Sequence, residues 1–284
     1  MKSDWIDLIF TRERMKTFLT AIAFSVCSLN AMAHSPFTAP SNYLVNGNNT
    51  SILAGFAEQP FDSEVAIRGF EFKVISPKGE VQKLELSNTA SLSTANVSSS
   101  IDGTYQIIGE RSAAIQYAKV SKRWLRVLDA KGENVPPLDV RNFVLPTELT
   151  KKHEKFEVQR FDEVLSFFSK YKQSDLQANS AKTGLTFAYS SHPNLVRAGQ
   201  PFTLTVNLNQ KAAIGYQVQL EQQQTDLTKK HEAIKLKTDL QGKVELPLNA
   251  VGQYIVTITS PEQKENVKPE PLTYRSILSF YVNP

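Results

Sequence analysis

The side chains of this sequence that could coordinate a metal ion or serve as acid–base groups are few and widely spaced. The four histidines are His34, His153, His192 and His231, and none of them forms a short-spaced pair of the kind used by metal sites. The only cysteine is Cys27. His153 and His231 each lie in a charged Lys-Lys-His-Glu tetrapeptide, which is typical of solvated surface residues. The candidate metal ligands are therefore His34 and His192.

The first candidate, His34, follows Ala-Met-Ala at 31–33, which fits the A-x-A cleavage site of a secretory signal. Cleavage there would make His34 the first residue, so that its α-amine and its imidazole could chelate one metal ion. Nickel and copper accept nitrogen ligands in tetragonal geometry and suit such a pair. Pro36 has no amide hydrogen, so a further ligand must come from elsewhere in the fold. The alternative is an amino terminus that binds no metal.

The second candidate, His192, precedes Pro193 in a Ser-Ser-His-Pro-Asn segment. The simplest interpretation is a loop at the start of a second domain, in which Pro193 fixes the backbone and Asn194 forms local hydrogen bonds. The competing interpretation makes His192 a metal ligand in addition to His34. The sequence leaves both interpretations open.

Residues 15–33 have the other features of an export signal, namely a basic start and an apolar run at 18–26. A membrane anchor is the competing interpretation, but this run has roughly ten residues and a spanning helix needs about 20. The residues before Met15 are polar and mixed in charge, which favours Met15 over Met1 as the translation start. We therefore predict a cleaved signal peptide at 1–33 and a periplasmic location.

The composition is that of a globular protein, with 284 residues of which 41% are hydrophobic and 21% charged. Removal of the first 33 residues leaves 251, and because that segment has four basic and three acidic residues, the net charge falls from +4 to +3. So small a charge does not favour binding to nucleic acid. The mature chain would lack cysteine, which excludes disulfides and cysteine-ligated zinc. It also has no apolar run of membrane-spanning length.

The signatures of common catalytic sites are missing from the sequence. It has no G-x-S-x-G elbow, no phosphate loop of the G-x-x-x-x-G-K type, no H-E-x-x-H helix and no dinucleotide fingerprint. With 28 acidic residues, some carboxylates will lie close together in any fold, so their number alone indicates no acid–base site. We therefore predict that the protein is not an enzyme and has no catalytic residues.

The elements that would position these residues have a period of two. Short segments rich in β-branched and aromatic residues recur about every ten residues between turn formers, which is typical of β-sandwiches. Residues 70–75 and 81–86, joined by a turn at 76–79, predict a hairpin. Residues 202–208 and 216–220 predict two further strands. We therefore predict an all-β fold.

Two stretches resemble one supersecondary unit used twice. Gly103 stands two residues before Tyr105, and Gly252 stands two residues before Tyr254, each pair at the start of a predicted strand. We expect the glycine to supply a positive φ or a close approach, and the tyrosine to pack its ring inward with its hydroxyl near the edge. The repetition predicts two immunoglobulin-like β-sandwich domains in tandem.

The first domain, with a connecting segment, is predicted at 34–180 and the second at 181–284, because residues 173–183 have the small, polar composition of a linker. One sandwich of about 250 residues is the alternative. Residues 156–168 combine apolar spacings of three and seven with spacings of two, so the pattern leaves helix or strand open there.

The order of features resembles a family of uncharacterised bacterial periplasmic proteins described as nickel-uptake or cobalt/nickel-transport-associated components. The features are Ala33-His34 followed by Pro40-Ser41, the hairpin turn at 75–79, the segment at 192–201, the turn at 238–242 and the strand at 274–282. The resemblance implies a signal-bearing, non-enzymatic protein with immunoglobulin-like (carboxypeptidase-regulatory-like) domains. It also implies an extended conformation for residues 156–168.

The resemblance further implies an association with transition-metal import. On this hypothesis the protein binds nickel, cobalt or copper, or presents the ion to a membrane transporter, with His34 as the first candidate ligand and His192 as the second. The alternative hypothesis is a metal-free module that binds an envelope protein or polymer. The sequence lacks the histidine-rich stretch of metal-rich relatives.

Overall fold

The computed structural model describes residues 35–129, 135–176, 184–226 and 232–284. The predicted signal peptide, its cleavage site, His34 and His231 therefore lie outside the described residues, and so does most of the predicted linker. The described residues from Ser35 onward belong to one compact unit.

Nearly all regular structure in the described residues is β. The strands are β1 Ser35–Pro40, β2 Leu44–Val45, β3 Asn49–Ala57, β4 Val65–Ala66, β5 Glu71–Ile75, β6 Val81–Leu84, β7 Ser87–Asn88, β8 Ser93–Ser98, β9 Gly103–Val120, β10 Arg123–Val127, β11 Phe143–Val144, β12 Lys155–Lys170, β13 Leu185–Tyr189, β14 Phe202–Leu208, β15 Lys211–Ala212, β16 Gln217–Gln222, β17 Ile234–Lys237, β18 Lys243–Leu246, β19 Gly252–Thr259 and β20 Leu272–Val282. The described residues also form two short 3₁₀ helices, Pro146–Glu148 and Pro193–Leu195. The predicted all-β class is confirmed.

The largest sheet in the described residues has eleven strands, eight of which follow the order β11-β10-β9-β12-β20-β19-β16-β17. β5 pairs with β9, β6 with β5, and β2 with β12. The pairings β10–β11, β2–β12 and β12–β20 are parallel, and the other pairings in this sheet are antiparallel. β9 and β12 pair along nearly their whole length and form the axis of this central sheet.

Two smaller sheets supply the remaining strands and cover opposite faces of the central sheet. One has the order β1-β3-β8-β7 with β4 beside β3, and the other has β13-β14-β15 with β18 beside β14. Successive strand residues point to opposite faces. Ile107 therefore packs with Phe37 and Ile52 of the first small sheet, whereas Ile108 packs with Leu204 and Val206 of the second.

The predicted hairpin is confirmed, because β5 and β6 pair antiparallel with Phe72 opposite Leu84. Residues 156–168 lie within β12, so the extended conformation implied by the resemblance is correct. Their mixed spacing arises because the second half of β12 is buried on both faces, with Val164 and Phe168 in one core and Leu165 and Phe167 in the other. A strand buried on both faces has no polar alternation to mark its period.

The repeated glycine–tyrosine unit has the predicted geometry at both sites. Gly103 has φ of +133° and Gly252 has φ of +141°, values that favour glycine. The Tyr105 hydroxyl donates to the carbonyl of Ile101 at 3.1 Å, and the Tyr254 hydroxyl donates to the carbonyl of Ala250 at 3.0 Å. Each ring is buried, so each unit fixes the start of a strand of the central sheet.

The central sheet contains strands from both sides of the predicted boundary near residue 180. β12 precedes that boundary and β20 follows it, and the two pair in parallel from Gln159–Leu272 to Ser166–Ser279. The division into tandem domains stays a prediction. The hydrogen bonding of the central sheet joins strands from both sides of the predicted boundary.

Candidate functional site

His192 is the N-cap of the 3₁₀ helix Pro193–Leu195. Its Nδ1 accepts a hydrogen bond from the backbone N–H of Asn194 at 3.1 Å, which assigns the proton of the neutral ring to Nε2. Nε2 lies 2.9 Å from Oγ1 of Thr104. Burial lowers the pKa of His192, although hydrogen bonding to Ser174 and the charge of Asp175 act against that shift. Both ring nitrogens are therefore used in holding the fold.

The His192 contact belongs to a buried polar network that joins β9, β12 and the 3₁₀ helix Pro193–Leu195. Thr104 Oγ1 lies 3.0 Å from Ser169 Oγ, and the Asn194 side-chain amide donates to Ser169 Oγ at 2.8 Å. The Asn283 amide then donates to the carbonyls of Asn194 and Val196 at 3.2 and 2.9 Å. Hydrogen bonds between buried polar groups fix one arrangement of the elements that carry them, although Oδ1 of Asn194 is buried without a partner in the described part of the chain.

His34 lies outside the described residues, but the residue that follows it has a defined place. Ser35 is the first residue of β1 and pairs with Ala57 of β3. Glu58, which follows Ala57 in the chain, donates its backbone N–H to the Glu64 carboxylate at 3.1 Å. The Glu64 carboxylate therefore lies near the end of β3 that pairs with Ser35, and Glu58 is the residue that follows β3 there. The described residues contain no group of three or more His, Cys, Asp or Glu that could hold a metal ion.

A cavity of about 770 Å³ lies between the central sheet and the start of β13, and we call it the carboxylate cleft. The side chains of Glu110, Glu163 and Tyr274 face it from β9, β12 and β20, and Leu185 of β13 lies on its other side. The rings of Phe161 and Tyr274 stack with centroids 5.5 Å apart. The cleft thus combines an aromatic pair with acidic side chains.

The acidic side chains of the carboxylate cleft form a row across the sheet. Glu71, Glu110, Glu163 and Ser276 are neighbours on β5, β9, β12 and β20. Lys73 Nζ contacts Glu110 Oε2 at 2.8 Å, and the Ser276 hydroxyl donates to Glu163 Oε1 at 3.2 Å. Burial and the charge of Glu110 raise the pKa of Glu163 to about 7. The cleft therefore contains a carboxyl group that titrates near neutral pH.

A second cavity of about 490 Å³ extends from the carboxylate cleft toward His192, and Glu163 and Leu185 line both. Asp175 and Tyr189 also line this second cavity. Burial, together with the charge of Glu163, raises the pKa of Tyr189 above its ordinary value. The predicted residue His192 thus borders a cavity without presenting a free ring nitrogen to it.

A second charged group lies on the opposite face of β9, β12 and β20, around the buried carboxylate of Asp162. Nη2 of Arg111 contacts Oδ2 at 2.7 Å, and Nε of Arg275 contacts Oδ1 at 2.9 Å. Nε of Arg160 is also 2.9 Å from Oδ1. Burial alone would raise the pKa of Asp162, but Arg275 and Arg160 outweigh it and hold that pKa below its ordinary value. We call these four residues the arginine cluster.

The sequence profile of one protein family, the Domain of unknown function DUF4198, matches residues 31–261. The chain belongs to this family. The match covers most of the chain and includes the central sheet up to the end of β19. A comparison with the sequences of curated proteins gives no match.

Several solved structures are similar to this DUF4198 protein, with low sequence identity and low TM-scores. Escherichia coli alpha-2-macroglobulin activated by porcine elastase is 11% identical, with 88% of this chain and 20% of that chain covered and a TM-score of 0.22. The D0-D1 domain of intimin is 13% identical, with 86% and 97% covered and a TM-score of 0.20. The FN1-FN3 domains of chicken CNTN1 are 8% identical, with 88% and 100% covered and a TM-score of 0.22. The chain spans about a fifth of the length of the macroglobulin.

The carboxylate cleft and the arginine cluster were not anticipated from the sequence. Their members come from strands far apart in the chain and carry no local motif, and only the pairing of β9, β12 and β20 brings them together.

The helices found in the described residues are single 3₁₀ turns, and none is long and apolar enough to cross a membrane.

Proposed function

We propose that this DUF4198 protein is an exported, periplasmic accessory protein without enzymatic activity, which binds nickel, cobalt or copper or assists the transporter that imports the ion. The observation that carries the proposal is the position of Ser35. It follows the predicted cleavage site by one residue and is already paired in β1. In a mature chain starting at His34, the residue that carries both the α-amine and the imidazole would be joined directly to this first strand.

The surroundings of Ser35 offer the further ligands that an amino-terminal histidine needs. Glu58 and Glu64 follow β3 at the end that pairs with Ser35, and carboxylate oxygens complement two nitrogen ligands around nickel or copper. His192 does not suit the same ion, because both of its ring nitrogens have partners within the fold. We therefore place the metal at His34, with His192 as a structural residue.

Intact mass spectrometry of the protein purified from the periplasm without chelators tests this proposal. We expect a mass that starts at His34 and increases by one nickel, cobalt or copper ion when each is added. His34→Ala and an extra alanine before His34 should each abolish the increase, because the first removes the imidazole and the second separates it from the α-amine. His153→Ala, which changes an imidazole far along the chain, is the matched control. A mature protein that takes up none of the three metals would overturn the proposal.

The second candidate function is a metal-free module that binds an envelope protein or polymer. The carboxylate cleft favours it, because a cavity of about 770 Å³ with a stacked Phe161–Tyr274 pair is of the size used by ligand sites. Ser112 is exposed at the cleft, so Ser112→Trp should obstruct it without entering the core.

A pull-down from envelope extract, analysed by mass spectrometry, tests this second function. We expect the same partner with the wild type and with Ser91→Trp, an exposed control between β7 and β8, but not with Ser112→Trp. Recovery that is equal for all three proteins would exclude the cleft as the binding surface.

A further inference from the structure

The arginine cluster has more positive charge than its own carboxylate neutralises. Arg111, Arg160 and Arg275 surround the single carboxylate of Asp162, which leaves a surplus of two positive charges. The exposed fractions of the three arginine side chains are only 24%, 22% and 15%, so solvent screens the surplus in part. Burial lowers the pKa of Arg275, and the charges of Arg160 and Arg111 add to this effect against the opposing charge of Asp162. The cluster would be stabilised by an additional anion.

The cluster also has more hydrogen-bond donors than acceptors. Within the described residues, the hydrogen bonds of the three guanidinium groups all go to Asp162, at 2.7 Å from Arg111, 3.2 Å from Arg160 and 2.9 Å from Arg275. Each guanidinium has five N–H donors. Nε of Arg111 is buried and has no hydrogen-bond partner in the described part of the chain. An unpaired buried donor of this kind is costly and would be satisfied by a bound oxyanion.

The arginine positions are held by the fold before any ligand binds. Arg111 and Arg275 lie directly beside Asp162 on neighbouring strands, and Arg160 is two residues away on the same strand. The guanidinium of Arg111 also stacks over the ring of Phe70, with 4.8 Å between its central carbon and the ring centroid. Donors fixed in this way lose little freedom on binding, which favours affinity.

We propose that the arginine cluster binds a phosphate group, with Arg111, Arg160 and Arg275 donating hydrogen bonds to its oxygens and Asp162 holding the three guanidinium groups in place. The surplus of two charges matches the charge of a phosphate dianion. Planar guanidinium forks match the geometry of phosphate oxygens better than ammonium groups do. The side chains of the cluster alternate along β9, β12 and β20 with those that face the carboxylate cleft and so point to the other face of the sheet, although Arg111 and Asp162 also border the cleft. The proposal does not depend on metal binding at His34.

Isothermal titration of the mature protein with inorganic phosphate, in low-salt buffer without other oxyanions, tests the proposal. We expect saturable binding that weakens about tenfold in Arg160→Gln, because one charged hydrogen-bond donor is lost. Arg160→Lys keeps the charge and removes the fork, so it should also weaken binding, by less. Lys211→Gln, which removes an exposed positive charge on the second small sheet, should leave the affinity unchanged. Circular dichroism of each variant shows that it is folded.

The source of the phosphate group is distinguished by sedimentation with phosphatidylcholine vesicles, with and without phosphatidic acid. Binding that requires phosphatidic acid, is competed by inorganic phosphate and is lost in Arg160→Gln supports a lipid headgroup as ligand. Binding of inorganic phosphate without vesicle binding supports a free phosphate compound. The proposal is overturned if inorganic phosphate does not bind, or if Arg160→Gln, Lys211→Gln and the wild type bind it equally.

Discussion

Glu163 and Glu110 face each other directly across β12 and β9, on the side of the central sheet that borders the carboxylate cleft. Burial of Glu163 disfavours its charged form, and repulsion between the two carboxylates adds to this effect. Both effects raise the pKa of Glu163, to about 7. The folded protein therefore binds a proton at Glu163 more tightly than the unfolded chain does.

This difference predicts that stability falls as the pH rises. Between the ordinary glutamate pKa of 4.5 and the folded value of about 7, the folded state holds more protons than the unfolded state, so the contribution of Glu163 is present at low pH and is lost through this window. Glu163→Gln removes the titration. We expect the variant to gain about 2 kcal/mol over the wild type between pH 5 and pH 8, after allowance for solvent screening.

Urea unfolding at a series of pH values measures this effect. Glu245→Gln, on an exposed position of β18, is the control and should follow the wild type. If Glu163→Gln shows the same decline with pH as the wild type, Glu163 is not the group responsible.

For His192 we expect the opposite dependence of stability on pH. Burial lowers its folded pKa below the ordinary 6.5, so the unfolded chain binds the proton more tightly and stability is lost as the pH falls below 6.5. His192→Gln should abolish this acidic loss. At pH 8 it should cost about 1 kcal/mol, because the hydrogen bonds to Asn194 and Thr104 are only partly replaced. The same urea series checks both statements, and an acidic slope that persists in the variant would contradict them.

The repeated glycine–tyrosine unit predicts an unequal cost for two similar substitutions. Alanine at Gly103 or Gly252 would be strained by the positive φ. At Gly103 the added Cβ would also lie 2.8 Å from Cβ of Pro77, whereas at Gly252 its nearest neighbour is the flexible side-chain amide of Gln222 at 3.2 Å. We expect Gly103→Ala to cost about 3 kcal/mol and Gly252→Ala about 1–2 kcal/mol in unfolding free energy. Thermal or urea unfolding of the two variants would contradict the argument if the order were reversed.

Local sequence pattern predicted those parts of the fold that depend on local chemistry. The hairpin of β5 and β6 and the two tyrosine units follow from turn residues and alternation within a few positions. The parallel pairing of β12 with β20 joins residues more than a hundred positions apart and leaves no mark in either strand. Local pattern therefore indicated strands but not which strands are neighbours.

The charged sites were missed for the same reason. Asp162 and Glu163 are adjacent in β12, yet they point to opposite faces and belong to different groups. Asp162 meets three arginines, and Glu163 meets a second glutamate. No spacing rule along one strand distinguishes the two environments, because Arg111, Arg275 and Glu110 come from β9 and β20 and only Arg160 lies on β12 itself.

The last prediction concerns Asp162. Within the described residues, its carboxylate is the only one that accepts hydrogen bonds from the three arginines. Asp162→Asn would leave three partly buried positive charges without a counter-charge, and we expect a loss of about 3 kcal/mol in unfolding free energy. High salt should recover part of the loss by screening the repulsion. Asp62→Asn, at an exposed position, should have no measurable effect. Urea unfolding at low and high salt measures both variants, and an Asp162→Asn protein as stable as the wild type at low salt would show that repulsion among the arginines is weak.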